Sequence, residues 1–306
     1  TSVLAAAGLL DPSFSGDGKL LTDVKAGMRD KAYAVAVQSD GKIVVVGESY
    51  DLDAHTGDVA VVRYNANGTL DKTFNKTGKV ITNLGGVDQG RDVILQPDGK
   101  IVVSGRKCNA DYSICDLAVL RYKSTGQLDT TFNLDGINII RYKTGNNGTY
   151  GGLEVADDGK ILIAGYAVDA ENAPYDFAVY RLTRNGFLDK TFSDDGVRLI
   201  SFAALHSDVA QDLVIQPDGK IVVVGYTCNN ARENCNFALA RLQPADGAVD
   251  TTFSGDGKQV TDFGGEEQAP SVALQADGKI VLAGRRTINS VINMAVARYL
   301  PNGNLD

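Results

Sequence analysis

Apolar residues along the chain fall into short continuous runs such as residues 43–46 (IVVV) and 59–62 (VAVV), separated by turns rich in Gly and Asp. Runs that are apolar at every position, instead of at alternate ones, mark strands buried on both faces. Each stretch of about sixty residues predicts four strands. In the first, residues 33–38 form strand A, and Ser39-Asp40-Gly41 is a tight hairpin turn. Residues 42–49 form strand B, a variable loop of about ten residues follows, and residues 58–64 form strand C. A turn at Asn67-Gly68 and the segment 70–74 then lead to strand D at residues 79–84.

This pattern is written five times. The phrase D-G-K-I-[VL] places its glycine at Gly41, Gly99, Gly159, Gly219 and Gly278, at intervals of 58, 60, 60 and 59 residues. A glycine closing strand B keeps step (Gly47, Gly105, Gly165, Gly225, Gly284), as does an arginine in strand C (Arg63, Arg121, Arg181, Arg241, Arg298). The phrase L-D-x-x-F, or a near variant, places Phe14, Phe74, Phe132, Phe192 and Phe253. A four-stranded antiparallel unit with two apolar faces must be sandwiched between copies of itself, and sixty residues suit a propeller blade better than a solenoid coil. The expected fold is all-β: a five-bladed β-propeller spanning residues 10–306. Its ring is expected to close when residues 10–24, an orphan L-D-x-x-F with its strand D, complete the fifth blade beside residues 293–299.

The period, the D-G-K-I-V turn, the A-V-x-R-Y strand and the L-D-x-x-F punctuation together resemble the delta-60 repeat family of bacterial proteins. Departures are small: Leu182 and Leu242 replace the Tyr after the Arg, and Val249 replaces a Leu. The resemblance implies a β-propeller from an extracytoplasmic or surface setting and carries no catalytic residue with it.

Composition agrees with strands and turns. The 306 residues include 34 Gly, no Trp and a net charge of -8. That charge offers no basic footprint for nucleic acid, and no run approaches the roughly 18 apolar residues of a membrane span. A monomer or a component of a surface assembly is expected. Residues 3–10 (VLAAAGLL) read either as the tail of a secretory signal or as an apolar N-terminal arm. The four cysteines stand as Cys108-x6-Cys115 and Cys228-x6-Cys235, wider than zinc spacing and suited to local disulfides that brace the BC loops. Disulfides imply an oxidising compartment.

Repetition also sorts scaffold from site, because a residue present in every copy serves the blade. The strand C arginines and the Asp of each L-D pair (Asp11, Asp71, Asp129, Asp189, Asp250) are expected to form recurring structural ion pairs. The DA joins carry the acidic constellation Asp30, Asp88, Asp208 and Glu267, with Asp92 and Asp212 four residues further on in the second and fourth copies. Crowded at one channel mouth, the first four would repel one another unless a hard cation such as calcium, which takes oxygen ligands, lay between them. Solvated acids and turn caps are the other reading. No G-x-S-x-G, H-E-x-x-H, Walker or G-x-G-x-x-G motif occurs. The expected function is a non-enzymatic extracytoplasmic module that engages a protein or glycan through its DA/BC face. The alternative is a glycoside hydrolase using the channel carboxylates, against which stands a channel short of the aromatic residues that stack on sugars.

Overall fold

The computed structural model describes residues 9–143, 146–170, 173–229, 231 and 233–306. The arm at residues 1–8, and with it most of the proposed signal remnant, lies outside them. The described elements are nineteen strands. The first sheet holds β1 (Arg29–Val37), β2 (Ile43–Asp51), β3 (Thr56–Tyr64) and β4 (Lys79–Thr82); the second holds β5 (Val87–Leu95), β6 (Ile101–Cys108), β7 (Cys115–Tyr122) and β8 (Ile137–Ile140). The third consists of β9 (Leu153–Val155), β10 (Ile161–Ala167), β11 (Asp176–Leu182) and β12 (Val197–Ile200). The fourth is β13 (Ser207–Ile215), β14 (Ile221–Cys228), β15 (Asn236–Leu242) and β16 (Lys258–Thr261), and the fifth has three strands, β17 (Glu266–Leu274), β18 (Ile280–Ile288) and β19 (Val291–Tyr299). Within each sheet consecutive strands pair antiparallel, as the sequence predicts. The first two sheets also share one parallel bridge, Gly57 to Val87. The innermost strands β1, β5, β9, β13 and β17 touch in that order. Among the described residues no helix is long and apolar enough to cross a membrane.

The core lies between sheets. Val44, Val46, Val59 and Val61 of the first sheet meet Val93, Ile101, Val103 and Leu120 of the second, all buried. Three further clusters join the second sheet to the third, the third to the fourth and the fourth to the fifth. Burial on both faces is the reason the B and C strands are apolar at every position. Both cysteine pairs form local disulfides, Cys108–Cys115 and Cys228–Cys235, across the ends of the B and C strands of the second and fourth sheets.

A repeated polar clamp ties each sheet to the next. Arg63 donates from Nε to Asp71 (2.8 Å), from Nη2 to Thr73 (3.3 Å) and from Nη1 to the carbonyl of Ser124 in the following repeat (2.6 Å). Its guanidinium lies 4.6 Å above the Phe74 ring. Arg121 repeats the set with Asp129, Thr131, the Arg184 carbonyl and Phe132. Arg181 and Arg241 do the same with Asp189 and Asp250, reaching the carbonyls of Pro244 and Pro301. The guanidinium and carboxylate are both nearly buried, so each satisfies the other where water cannot. The aromatic of the L-D-x-x-F phrase is held against the next repeat's CD turn: Gly186 has φ of +87°, and a Cβ there would stand 2.6 Å from the Phe132 ring.

Residues 10–24 form no strand and do not pair with β19. They sit instead on the first sheet, where Ser15 N donates to the Asn67 carbonyl and the Tyr64 hydroxyl donates to Thr22. The backbone contact recurs at each later junction between sheets, and the hydroxyl contact recurs where strand C carries tyrosine, Thr82 with Tyr122 and Thr261 with Tyr299. The expected place beside Arg298 is taken by the last copy of the L-D phrase, since Leu305 bridges Tyr299 and Asp306 binds Arg298 at 2.5 Å. The outer edge of β19 is therefore open, with Met294 95% exposed and Val296 61% exposed, and Leu21 is fully exposed.

If the clamp joins the sheets, Arg121→Met should destabilise the fold by about 3–5 kcal/mol, because it strands the Asp129 carboxylate in the interior. Urea unfolding followed by far-ultraviolet circular dichroism measures this. An unchanged midpoint would mean that the apolar faces alone set the stability.

Candidate channel site

The acidic constellation is distributed, not gathered. Asp30 accepts the amide of Val24 (2.7 Å), Asp88 that of Leu84 (2.5 Å), Asp208 that of Phe202 (2.8 Å) and Glu267 that of Phe263 (3.3 Å). Each carboxylate thus caps its own DA loop. Among the described residues no group of three or more metal-ligating side chains stands together, so the crowded mouth expected from the sequence is not what the structure forms. Asp88 and Asp208 are completely buried, and burial pushes both up to about 6, helped by Asp58 and Asp176 respectively. Burial likewise raises Glu267.

Asp92 and Asp212 have another task. Asp92 accepts the amides of Val93 (2.8 Å) and of Leu153 in the next sheet (3.0 Å); Asp212 accepts those of Leu213 (2.8 Å) and Val272 (2.9 Å). They staple the inner strand of the second sheet to that of the third, and of the fourth to that of the fifth. Burial raises both, Asp212 to about 6. Between them the third sheet contributes Glu154, half-buried, at a repeat position that holds Ala36, Ile94, Val214 and Ala273 in the other copies. Burial raises Glu154 first, then the charges of Asp212 and Asp92, while the Val155 amide opposes the rise. It has no ion-pair partner among the described residues, and it lines a cleft of about 530 Å³ between the third and fourth sheets. A carboxyl that breaks the repeat and lines a cleft, its charge disfavoured by burial and by the charges of two aspartates, is suited to acid–base work.

Toward the loop end of the channel stands a run of tyrosines and arginines. The Arg91 guanidinium lies 4.2 Å above Tyr33 and 6.0 Å from Tyr150, and that of Arg106 lies 5.4 Å from Tyr150. Tyr150 packs on Tyr166 (5.6 Å between ring centres) and Tyr166 on Tyr175 (4.9 Å). The last three rings and Tyr226 line a further cleft of about 300 Å³.

Tyr33 and Arg91 are aimed there by β-bulges. Each inner strand except β9 slips register one residue past the strand B glycine, between Ala32 and Ala34 and between Gly90 and Asp92 in the first two sheets. A Cβ at Gly105 would lie 1.9 Å from the Gln89 carbonyl, so only glycine lets the bulge form. Neither these residues nor Glu154 are expected from the sequence pattern above. The signal was present: a glycine in every strand B faces the bulge, and one acidic residue occupies an otherwise apolar repeat position.

A family model for a β-propeller domain of unknown function (DUF5122) matches residues 38–74, 96–132, 156–192, 216–253 and 275–306. The chain belongs to that β-propeller repeat family. No curated protein matches it. Among solved structures it is similar to an α-L-arabinanase from Penicillium chrysogenum (10% identity, 88% of this chain and 93% of that one, TM-score 0.49). It is also similar to a GH93 α-L-arabinofuranosidase of Fusarium graminearum (10%, 90% and 95%, 0.49) and to a mannose phosphorylase from Leishmania mexicana (10%, 92% and 88%, 0.47). The expectation of a module that catalyses nothing is corrected here. The objection to sugar chemistry, a channel short of aromatic residues, falls because Tyr33 and Tyr150 both stand beside Arg91.

The buried acids predict an unusual pH dependence. Asp88, Asp208 and Asp212 bind protons more tightly when folded, so their contribution is full below the ordinary carboxylate range near 4 and is lost as pH rises through about 6. Asp189 and Asp250, held down to about 2, act oppositely and lose theirs as pH falls from about 4 through 2. Thermal stability should peak near pH 4–5, several degrees above its value at pH 7.5. Asp88→Asn with Asp208→Asn should flatten the neutral limb. Thermal melts across pH 2–8 check this, and a maximum at neutral pH would show that these carboxyls ionise freely.

Proposed function

We propose that the protein cleaves glycosidic bonds in its channel, with Glu154 as the proton donor. The observation that carries the reading is Glu154 itself, a half-buried carboxyl that lines a cleft and feels the charges of Asp92 and Asp212, where the other repeats carry Ala, Ile or Val. Protonated, it can give its proton to the oxygen that leaves as the sugar C–O bond breaks. One of the two aspartates takes a proton from the water whose oxygen bonds to the sugar carbon, so that proton and electron pair are accounted for. Tyr33 and Tyr150 offer flat apolar faces for sugar rings. The two disulfides support an oxidising, extracytoplasmic setting. Release of reducing ends from a panel of neutral and acidic polysaccharides tests the activity, and Glu154→Gln should lower the rate about 10²–10⁴-fold without changing the melting temperature. No cleavage across the panel, or a variant as fast as the parent, would remove the catalytic role.

A closed five-bladed ring is part of the same proposal, because an open edge like that of β19 invites pairing. By the register of β3 with β4, residues 19–22 fit β19 with Leu21 opposite Ala295. Leu21→Cys combined with Ala295→Cys should then give an intramolecular disulfide under oxidation. Cross-links that form only between chains, or not at all, would exclude closure by this segment.

A further inference from the structure

The channel mouth carries a concentration of positive charge that the scaffold does not use. Gln89 accepts from Arg106 Nε (2.7 Å) and Arg91 Nη2 (2.6 Å) through a single side-chain oxygen, so two guanidinium groups are held side by side. The Gln89 amide donates in turn to Glu48, whose carboxylate also takes Lys31 (2.9 Å) and the Tyr33 hydroxyl (2.8 Å). This network holds three cations, Lys31, Arg91 and Arg106, against one carboxylate, and Glu48 is already ion-paired with Lys31. Among the described residues neither arginine forms an ion pair. The Nε of Arg91 is buried with no hydrogen-bond partner.

Such an arrangement is costly without a ligand. Burial and the neighbouring Arg106 both act against the charge of Arg91. The clamp arginines show how this chain treats a guanidinium that serves the fold: each receives its own aspartate. Repetition separates the two kinds. Arg91 occupies a position held elsewhere by Tyr33, Gly151, Gln211 and Pro270. The fifth sheet repeats the glutamine–arginine contact, Gln268 with Arg285 at 2.9 Å, but puts Pro270 where Arg91 stands. The second guanidinium is thus an addition to a contact that forms without it.

Two guanidinium groups held on one oxygen match a planar or tetrahedral oxyanion, and the rings of Tyr33 and Tyr150 beside them match a sugar face. We infer that Arg91 and Arg106, flanked by Tyr33 and Tyr150, form a subsite for an anionic group on a sugar, a uronate carboxylate or a sulfate ester. This deepens the glycan reading above by naming its ligand class, but as a binding site it stands independently of cleavage by Glu154.

The test is calorimetric titration of the full chain with three probes of matched length: an oligogalacturonate, a sulfated oligosaccharide and a neutral oligosaccharide, each at low and high salt. At least one acidic probe should bind ten-fold or more tightly than the neutral one, and the preference should shrink with added salt. Whichever acidic probe is preferred identifies carboxylate or sulfate as the recognised group. Arg91→Gln and Arg106→Gln should each weaken acidic binding about ten-fold, leave neutral binding in place and leave the ligand-free melting temperature no lower than the parent's. Arg106→Lys should recover part of the loss and serves as the folded control if Arg91→Gln is unstable. Equal affinity for acidic and neutral probes, no acidic binding, or acidic binding untouched by the arginine changes would each overturn the subsite. Glu154-dependent cleavage of a neutral glycan would then leave the hydrolase reading standing, whereas acidic binding with no cleavage would support the subsite and remove the hydrolase.

Discussion

The buried pair of arginine and aspartate at the outer end of strand C is the constraint on which the remaining architecture depends. A β-sheet with two apolar faces can stack on a neighbour at many offsets, because hydrophobic contact has no direction. The clamp has one. Arg121 reaches the Arg184 carbonyl of the next repeat only if that repeat's CD turn stands at a fixed distance and height. Asp129 must then be buried with it, and Thr131 satisfies what remains of both. Breaking one member leaves a charge in the interior, so the pair specifies geometry even where its net contribution to stability is small. The inner strands inherit this precision.

Fixed sheets make variation in the inner strands useful. In four repeats the bulge opposite the strand B glycine inserts one residue that the ladder does not need, and that residue is Tyr33, Arg91, Gln211 or Pro270 according to the repeat. A side chain at such a position can change without disturbing pairing. The scaffold therefore supplies nearly equivalent sockets around a channel, and the chain fills them unequally. The third repeat departs furthest, with its inner strand cut to Leu153–Val155 and Glu154 placed in it.

The repeat made the fold legible because period, turn and apolar run are local properties of sequence. The β-strands, the two local disulfides and the role of Arg63 and Asp71 all followed from spacing alone. Ring closure did not. The place beside Arg298 expected for residues 10–11 is held by residues 305–306, and the shared Leu-Asp phrase gives no hint of which occupies it. The acidic residues misled for a related reason. Asp88 and Asp208 share a repeat phase, which suggested a common mouth, but phase does not fix which way a side chain turns, and both turn back to their own loop amides. Glu154 and Arg91 were hidden because their importance lies in what the other copies lack.

The distribution of charge bears on how a ligand would arrive. With a net charge of -8 the protein repels a polyanion at long range, and exposed charges are screened beyond about 8 Å at physiological salt. The positive mouth is smaller than that distance scale, so it adds little attraction until a ligand is nearly in place. Recognition there would select orientation more than it would accelerate encounter, the reverse of a steered complex. The carboxyls of Asp92, Glu154 and Asp212 lie further along the inner strands, where they would repel a second anionic sugar. A chain with its acidic unit on Arg91 and Arg106 and a neutral unit beside Glu154 would satisfy both ends of the channel, so for the proposed glycan the charge gradient along the inner strands would set the direction of threading.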